Sequence, residues 1–428
     1  MNEKAINRSI KKIALVAIFL IFLVGTVSAD LTIEDVKADC YYANYVSAME
    51  NNTINVTKIS NDDDTATGVW LYLYASDVSE VIPVASKQLD NIPEEGSIGP
   101  QYIVDPTIRT SEETITYTAT VTANGGISAS KDSDDIYVRF NGYKGKVYWN
   151  GDNITTKHTY NGNYSMVYYN QTDDAYKSTS WTTRTETWTT SDLSLPAGAT
   201  VEEARLYISY NWGSNSDRSV PDFVVQFNGA TKNIADPSVA ASYTDNSNLG
   251  SYGQKMYGLI SVDVTSNFTP GSDNTLSMAR QTDNMALYPS TLVVIYSDPN
   301  ATRKKILINE ECDELLVSNE TKKYGTTMEE ATAYAPFSLS GAETSGTGVL
   351  YSFVASAGTQ VDPSHIGNEG NLDFNGNPSV TYAWAGTKNS AYPYVLNINS
   401  LQTENLASIQ GTSTTGMLAI EQILVVEY

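Results

Sequence analysis

Apolar and polar residues alternate over short runs along most of the chain, and Gly, Asn, Asp, Pro or Ser separates one run from the next. In the run 204–210, Ala, Leu, Ile and Tyr occupy the even positions, which would face a core. A period of two places successive side chains on opposite faces of a strand. Thr, Tyr, Val and Ile, which suit half-buried strands, dominate these runs. The pattern predicts an all-β protein.

Residues 1–29 have a different pattern, in which a basic segment precedes an unbroken apolar run over 13–24. The run leads to Val27-Ser28-Ala29, small residues typical of a signal-peptide cleavage site. We expect cleavage between Ala29 and Asp30 and export to the extracellular space or the cell surface. The alternative is an uncleaved anchor, although the run is shorter than the roughly 20 residues a bilayer requires. No second run of spanning length follows, so the mature chain is expected to lack a transmembrane segment.

The alternation predicts an N-terminal Ig-like β-sandwich over 30–128, with strands at 31–38, 52–59, 68–75, 81–89, 100–104 and 114–122. The polar segment 129–135 has the composition of a linker. A second domain is therefore expected to begin near residue 136.

An internal repeat organises the remainder. Phe-Asn-Gly occurs at 140–142, 227–229 and 374–376, and Asn-Gly supplies the positive φ angles that tight hairpins require. Matching runs flank the second and third copies in the same order: 206–207 with 350–351, 262–265 with 396–399, and 292–296 with 424–428. We predict two tandem jelly-roll-like β-sandwich modules, one in 136–300 after a hairpin-rich lead-in and one in 301–428.

The charge balance excludes one class of partner. The chain has 49 Asp and Glu against 26 Lys and Arg, which gives a formal net charge of −23. Such a surface repels phosphate backbones, so nucleic-acid binding is not expected. The two histidines, His158 and His365, belong to no metal-binding motif, and no nucleophile elbow is present. The sequence favours a protein that is not an enzyme and holds no cofactor.

Cys40 and Cys312 are the only cysteines. An exported chain permits a disulfide between them, which would join the N-terminal domain to the C-terminal region. The alternative is two separate buried thiols.

Clusters of acidic residues supply oxygen atoms of the kind that Ca²⁺ binds. They lie in predicted turns and comprise Asp62, Asp63, Asp64, Asp132 and Asp134. The alternative is a set of solvated turns capped by their own side chains.

The region 143–190 is rich in aromatic residues, and aromatic faces beside polar groups are typical of carbohydrate recognition. The candidates for glycan binding are Tyr148, Trp149, Tyr168, Trp181 and Trp188. The alternative is ordinary hairpin packing, and Trp181 and Trp188 differ in parity, so one straight strand would not show both on the same face.

Glycosylation sequons of the form N-x-[ST] are expected to be modified in part because the chain is exported. In the mature chain they begin at Asn51, Asn55, Asn153, Asn163, Asn170, Asn267, Asn300 and Asn319.

Several motifs resemble those of a known family: Tyr-Lys-Gly-Lys at 143–146, Leu-Pro-Ala-Gly-Ala-Thr-Val at 195–201, the Phe-Asn-Gly turns, and Leu-Val-Val-Ile-Tyr-Ser-Asp-Pro at 292–299. With these motifs, residues 136–428 resemble an uncharacterised, domain-of-unknown-function family of secreted β-rich proteins, mostly from methanogenic archaea. The resemblance implies an archaeal envelope or secreted context and assigns no catalytic residue. Residues 30–128 resemble, more distantly, the Ig-like cell-adhesion-related (CARDB-type) domains.

The first functional hypothesis is an exported, non-catalytic envelope protein with a structural or adhesive role, whose partners are other surface proteins or copies of itself. The second is a carbohydrate-binding adhesin that uses the aromatic region 143–190. The third is a filament subunit in which the segment 30–34 donates a strand to a neighbouring subunit. An extracellular hydrolase is the last.

Overall fold

The computed structural model describes residues 30–39, 44–47, 51–111, 113–139, 154–213, 222–245, 256–317, 328, 331–357, 368–376, 379–413 and 416–428. The chain divides into two compact units, Met1–Val138 and Arg139–Tyr428. Within the described ranges, no helix has the length and apolar character needed to cross a membrane.

The described part of the first unit consists of short antiparallel strands. They are β1 (Leu31–Ile33), β2 (Val36–Ala38), β3 (Tyr45–Ser47), β4 (Asn52–Val56), β5 (Ile59–Asn61), β6 (Trp70–Ala75), β7 (Ala85–Gln88), β8 (Gly96–Ile98), β9 (Gln101–Asp105), β10 (Glu113–Ile115), β11 (Tyr117–Ala123), β12 (Ile127–Asp132) and β13 (Ile136–Arg139). They pair in the orders β1-β5-β8, β2-β4-β9, β10-β13-β3 and β12-β11-β6-β7. Alternate residues point inward, as Leu71, Leu73, Ala119 and Val121 do with no exposed surface.

Two expectations for this unit differ from the structure. The predicted linker 129–135 begins inside strand β12, which pairs with β11 over six residues. Its polar composition reflects the exposed positions of Ser130, Lys131 and Asp132 on β12. The predicted donor segment 30–34 instead forms β1, which pairs with β5 of its own chain and buries Leu31 and Ile33.

The second unit is also built of strands in its described part. They are β14 (Thr155–Gly162), β15 (Tyr164–Asn170), β16 (Thr183–Trp188), β17 (Thr200–Gly213), β18 (Phe223–Phe227), β19 (Ala230–Lys232), β20 (Ala240–Asp245), β21 (Met256–Asp263), β22 (Asn274–Arg280), β23 (Ala286–Leu287), β24 (Thr291–Ser297), β25 (Lys304–Glu310), β26 (Asp313–Leu315), β27 (Thr332–Ser338), β28 (Thr347–Ala355), β29 (Asn368–Glu369), β30 (Asn371–Phe374), β31 (Ser379–Val380), β32 (Trp384–Ala385), β33 (Ala391–Ile398), β34 (Glu404–Gln410) and β35 (Met417–Glu427). Short 3-10 helices occur at Asp173–Ala175, Thr265–Asn267 and Glu343–Ser345.

Two sandwiches of the same design make up this unit. The first places a large sheet, β15-β24-β17-β21-β20, over a small sheet, β16-β22-β18-β19. The second places β14-β25-β35-β28-β33 over β27-β34-β30-β31. The three pairs of matching runs in the sequence occupy equivalent strands, namely β17 and β28, β21 and β33, and β24 and β35. The predicted all-β fold with tandem β-sandwich modules is confirmed.

The two described Phe-Asn-Gly turns are equivalent in detail. Asn228 and Asn375 adopt φ angles of 49° and 55°, each followed by a glycine with positive φ. Asn228 donates to the side-chain oxygen of Asn274 at 2.8 Å, and Asn375 donates to that of Asn405 at 3.0 Å. The same turn and the same asparagine pair therefore close the small sheet of each sandwich.

The large sheets of the two sandwiches lie back to back. A cluster of fully or nearly fully buried residues between them combines Tyr207 and Ile295 of the first large sheet with Ile308, Phe353 and Ile423 of the second. Each large sheet also packs against its own small sheet. Burial on both faces explains the nearly continuous apolar run of β35.

The lead-in hairpin is shared between the sandwiches. Strand β14 pairs with β25 in the second large sheet, whereas β15 pairs with β24 in the first. The lead-in was expected to belong with the first module alone. Its two strands instead extend both large sheets, because the second sheet also offers an unpaired edge at β25.

Candidate functional site

The outer face of the sheet β12-β11-β6-β7 carries a row of three aromatic side chains. Trp70, Tyr72 and Tyr74 alternate along β6 with the buried Leu71 and Leu73. The two-residue period of a strand places the three rings on one side. Trp70 is 38% exposed, and its ring centroid lies 6.3 Å from that of Tyr72 at an interplanar angle of 22°. The row is therefore an aromatic strip that is exposed at Trp70 and half-buried at Tyr72 and Tyr74.

Hydroxyl and amide side chains flank this row on both sides. On β11, Thr122 lies opposite Trp70, Thr120 opposite Tyr72 and Thr118 opposite Tyr74. On β7, Gln88 lies opposite Trp70 and Ser86 opposite Tyr72. Further out on β12, Ser130 and Asp132 bond to Thr120 and Thr118, each at 2.8 Å. We call the three rings and these flanking residues the aromatic face. An apolar strip between rows of donors and acceptors can stack on a sugar ring and bind its hydroxyls.

A buried ion network braces the end of β6. The Arg109 side chain is 2% exposed and lies 2.9 Å from both Asp77, just after β6, and Asp105, at the end of β9. Tyr117 donates to Asp105 at 2.7 Å. Burial alone would raise the pKa of Asp105, but hydrogen bonds from Thr107 and Tyr117 and the charge of Arg109 hold it below its usual value.

The loops joined by this network expose apolar side chains at the end of the sandwich. Val78, Val81, Ile82 and Ile108 are each at least 50% exposed. We call these four residues the apolar loops. The sequence predicts a strand at 68–75 but does not single out either surface; the Trp-x-Tyr-x-Tyr alternation at 70–74 is the signal that was available.

The predicted glycan-binding aromatics do not form a surface. Trp188 is fully buried and donates its indole N–H to the Tyr169 carbonyl at 3.0 Å, and Trp181 is 6% exposed and donates to Met285 at 3.0 Å. The side chain of Tyr168 is half-buried. Its ring packs edge-on against Tyr351 and Phe353. Tyr148 and Trp149 lie outside the described residues.

The hypothesis of a glycan platform at 143–190 is therefore wrong for the three aromatics that the structure describes. The parity argument against Trp181 and Trp188 sharing a face also fails. Trp181 lies just before β16, whose first residue is Thr183, so the alternation within the strand does not govern its direction. Both indoles instead enter the core of the first sandwich.

A buried carboxylate joins the two large sheets. Glu310 of β25 has no exposed surface, and its oxygens accept hydrogen bonds from Tyr207 at 2.8 Å, Ser261 at 2.9 Å and Tyr243 at 2.9 Å. His158 Nε2 lies 3.4 Å from Glu310 Oε1. Burial would raise the pKa of Glu310, but His158 and the charge of Arg205 outweigh it and hold the pKa below its usual range. Both oxygens of the Glu310 carboxylate thus accept hydrogen bonds from the first large sheet, and these bonds link the two large sheets.

Glu421 of β35 is a second buried carboxyl beside this network. It has no exposed surface, and within the described residues neither of its oxygens has a hydrogen-bond partner on another residue. Burial raises the pKa of Glu421 to about 8, and the charge of Glu310 adds a smaller increase. A hydrogen bond from its own backbone N–H acts in the opposite direction but is outweighed. Glu421 is therefore protonated at neutral pH.

The predicted calcium ligands are dispersed. Asp62, Asp63 and Asp64 are exposed. The Asn61 side-chain amide donates to the backbone carbonyls of Asp63 and Asp64 at 3.0 and 2.8 Å, so this segment is a turn capped by a side chain. Asp132 accepts from Thr118, and Asp134 is exposed. In the ranges that the structure describes, no three His, Cys, Asp or Glu side chains are grouped to hold a metal ion.

The structure describes only some of the residues named in the disulfide and glycosylation predictions. Cys312 is fully buried between the large sheets, whereas Cys40 lies outside the described residues, so the disulfide stays a prediction. Asn51, Asn163 and Asn300 are exposed, Asn170 and Asn267 are half-buried, and Asn55 is buried at 6% exposure. Asn153, Asn319, His365 and the signal peptide with Ala29 also lie outside the described residues.

Solved structures give only weak similarities. A CARDB domain from Pyrococcus furiosus, determined with di-metal ions, is 15% identical at a TM-score of 0.17 and covers 27% of this chain and 97% of its own. Carbohydrate-binding modules of the β-sandwich superfamily are 11% identical at 0.19, covering 62% and 100%. A bacterial ice-binding adhesin is 10% identical at 0.18, covering 87% and 88%. These similarities carry no inference about a ligand.

No curated protein matches the chain. A family match covers both sandwiches of the second unit: residues 142–427 match the family described as "Protein of unknown function (DUF3344)". This span includes the strands from β14 to β35, with the repeated Asn-Gly turns and the back-to-back large sheets. The chain belongs to the DUF3344 family.

Proposed function

We propose that this is an exported, non-catalytic surface protein that binds a neutral polysaccharide through the aromatic face of its N-terminal unit. The observation that carries the proposal is the exposed, nearly parallel Trp70–Tyr72 pair between two polar rows. Export rests on the signal-peptide pattern of residues 1–29.

The geometry suits a polymer more than a small ligand. The three rings follow the strand at two-residue intervals, which correspond to about 7 Å each, so the row is long enough for more than one sugar ring. A net charge of −23 disfavours anionic polymers, which leaves neutral glycans as the ligand class.

Affinity electrophoresis of the full chain in gels containing neutral polysaccharides, followed by a glycan array, tests the proposal. We expect at least one polymer to retard the wild type. Trp70→Ala should weaken binding about 5-fold or more, because truncating an important aromatic contact typically costs more than about 1 kcal/mol. Tyr102→Ala is the matched control: Tyr102 is 43% exposed on β9 of another sheet and should leave retardation unchanged. Equal retardation of all three proteins, or no retardation of the wild type, would refute the proposal.

A second candidate function is adhesion to another protein, which the apolar loops favour because exposed apolar clusters are typical of protein contacts. Binding of the labelled chain to cell envelopes separates the two. Loss in Ile82→Ser with Trp70→Ala unaffected would favour the protein partner, and the reverse would favour the glycan.

A further inference from the structure

Three polar side chains converge at the edge of the second large sheet. Asn161 of β14 and Lys305 of β25 are direct antiparallel register partners. Partners of this kind have their Cβ atoms about 4.5–5.5 Å apart on one face of the sheet. The third side chain, Glu343, belongs to the 3-10 helix Glu343–Ser345 and is 3% exposed.

One carboxylate holds both strand residues. Lys305 Nζ donates to Glu343 Oε2 at 2.9 Å, and Asn161 Nδ2 donates to Glu343 Oε1 at 3.3 Å. Burial would raise the pKa of Glu343, but hydrogen bonds from the Ser340 backbone N–H and from Lys305 hold it below its usual range. Glu343 is therefore a carboxylate at neutral pH, placed to take a proton from the amine and to give one to the amide nitrogen.

Two donors polarise the Asn161 side-chain carbonyl. Its Oδ1 accepts from the Tyr428 hydroxyl at 2.7 Å and from Arg303 Nη2 at 3.2 Å. The Arg303 guanidinium also lies over the Tyr428 ring at 5.4 Å, which fixes both donors. Donors aimed at a carbonyl oxygen stabilise the negative charge that forms when a nucleophile adds to its carbon.

We propose that Lys305 and Asn161 become joined by an amide bond between their side chains. The Lys305 ammonium gives a proton to Glu343, and the neutral Nζ adds to Cγ of Asn161. The charge on Oδ1 is held by Tyr428 and Arg303 until the Cγ–Nδ2 bond breaks.

The leaving nitrogen takes up the proton from Glu343 and departs as ammonia. Nζ then gives its surplus proton to the regenerated Glu343 carboxylate, which passes it to solvent. One C–N bond forms and one breaks, nothing is oxidised or reduced, and no co-reactant is required. Because Asn161 is exposed, ammonia has a direct path to solvent.

The product would fasten the edge strand β14 to the body of the second sandwich. Among the described strands of this sheet, β14 lies at the edge and pairs with β25 alone. The bond would also close a covalent loop that contains the whole first sandwich.

Tandem mass spectrometry of tryptic peptides from the purified full chain tests the proposal. We expect a branched peptide that links Lys305 to Asn161, no cleavage after Lys305, and an intact mass lower by one ammonia. Lys305→Arg keeps a cation beside Glu343 and should abolish the linked peptide, and Glu343→Gln should abolish or strongly slow its formation. Lys304→Arg is the matched control, since Lys304 lies next along β25 and contacts Ser165; it should leave the link intact.

Asn161 precedes Gly162, so ring closure onto the backbone would also release ammonia. A mass loss that persists in Lys305→Arg, with no linked peptide in the wild type, would assign the loss to that reaction and overturn the proposal. Full recovery of the separate, cleaved peptides from the wild type would overturn it as well, leaving an ordinary salt bridge.

Discussion

Replacing Glu421 with Gln tests how the buried carboxyls between the two large sheets respond to pH. The pKa of Glu421 is raised from 4.5 to about 8, chiefly by burial. Between these two values the folded chain keeps a proton that the unfolded chain releases. The free energy of unfolding therefore falls as the pH rises through this window, with the contribution complete below pH 4.5 and lost above about pH 8.

The magnitude follows from the width of the window. One pH unit corresponds to about 1.4 kcal/mol for a single proton, so the whole window corresponds to about 5 kcal/mol. Gln has nearly the shape of the protonated carboxyl and does not ionise. Glu421→Gln should thus match the wild type near pH 5 and exceed its stability by about 4 kcal/mol near pH 8.

Urea unfolding at pH 5, 6, 7 and 8, followed by tryptophan fluorescence, measures the difference between variant and wild type. Taking the difference removes the other titrating groups, which both proteins share. Glu202→Gln is the control: it makes the same chemical change at an exposed position of β17 and should alter the free energy of unfolding by less than about 0.5 kcal/mol. Parallel stability curves for Glu421→Gln and the wild type would refute the reasoning.

Two further substitutions test the packing and the ion network by the same unfolding measurement. Gly370 has φ +75°, and an added Cβ would lie 2.8 Å from Trp384, whereas Gly376 has φ +74° with open space around it. Gly370→Ala should therefore lower the free energy of unfolding by about 3 kcal/mol and Gly376→Ala by about 1 kcal/mol. Equal losses of stability in the two variants would contradict the predicted clash. Arg109→Met should destabilise the first unit by about 3–5 kcal/mol at pH 7, because it leaves Asp105 buried without its cation. As the pKa of Asp105 is lowered from 3.8, its contribution is present above pH 3.8 and lost as the pH falls through the lower folded-state value, so the effect of Arg109→Met should shrink in acid.

Local chemistry explains why the strands and the repeat could be predicted. The Phe-Asn-Gly turns require positive φ at Asn228 and Asn375, and the structure has it at both. Alternation is likewise a property of a few consecutive residues, which places β6 and β17 close to their predicted positions. These features need no knowledge of what packs against them.

The site residues depended on contacts that alternation does not encode. Trp188 is an aromatic residue of the kind that stacks on sugar rings, which is why it was a candidate for glycan binding. Its side chain instead lies in the core of the first sandwich. Glu310 meets Tyr207 and Ser261 only because two large sheets pack back to back. The segment 310–314 is mostly acidic, yet all five of its residues are buried.

The sharing of the β14–β15 hairpin makes the two sandwiches an obligate pair. A chain truncated near residue 300 would keep β14 but lack its pairing partner β25. The apolar face of the first large sheet that packs against the second large sheet would then be exposed to solvent. We expect sequence changes at the back faces of the large sheets to be matched between the two sandwiches, because these faces pack against each other. Insertions and new binding specificity are expected to accumulate on the small outer sheets, where a substitution in one copy imposes nothing on the other.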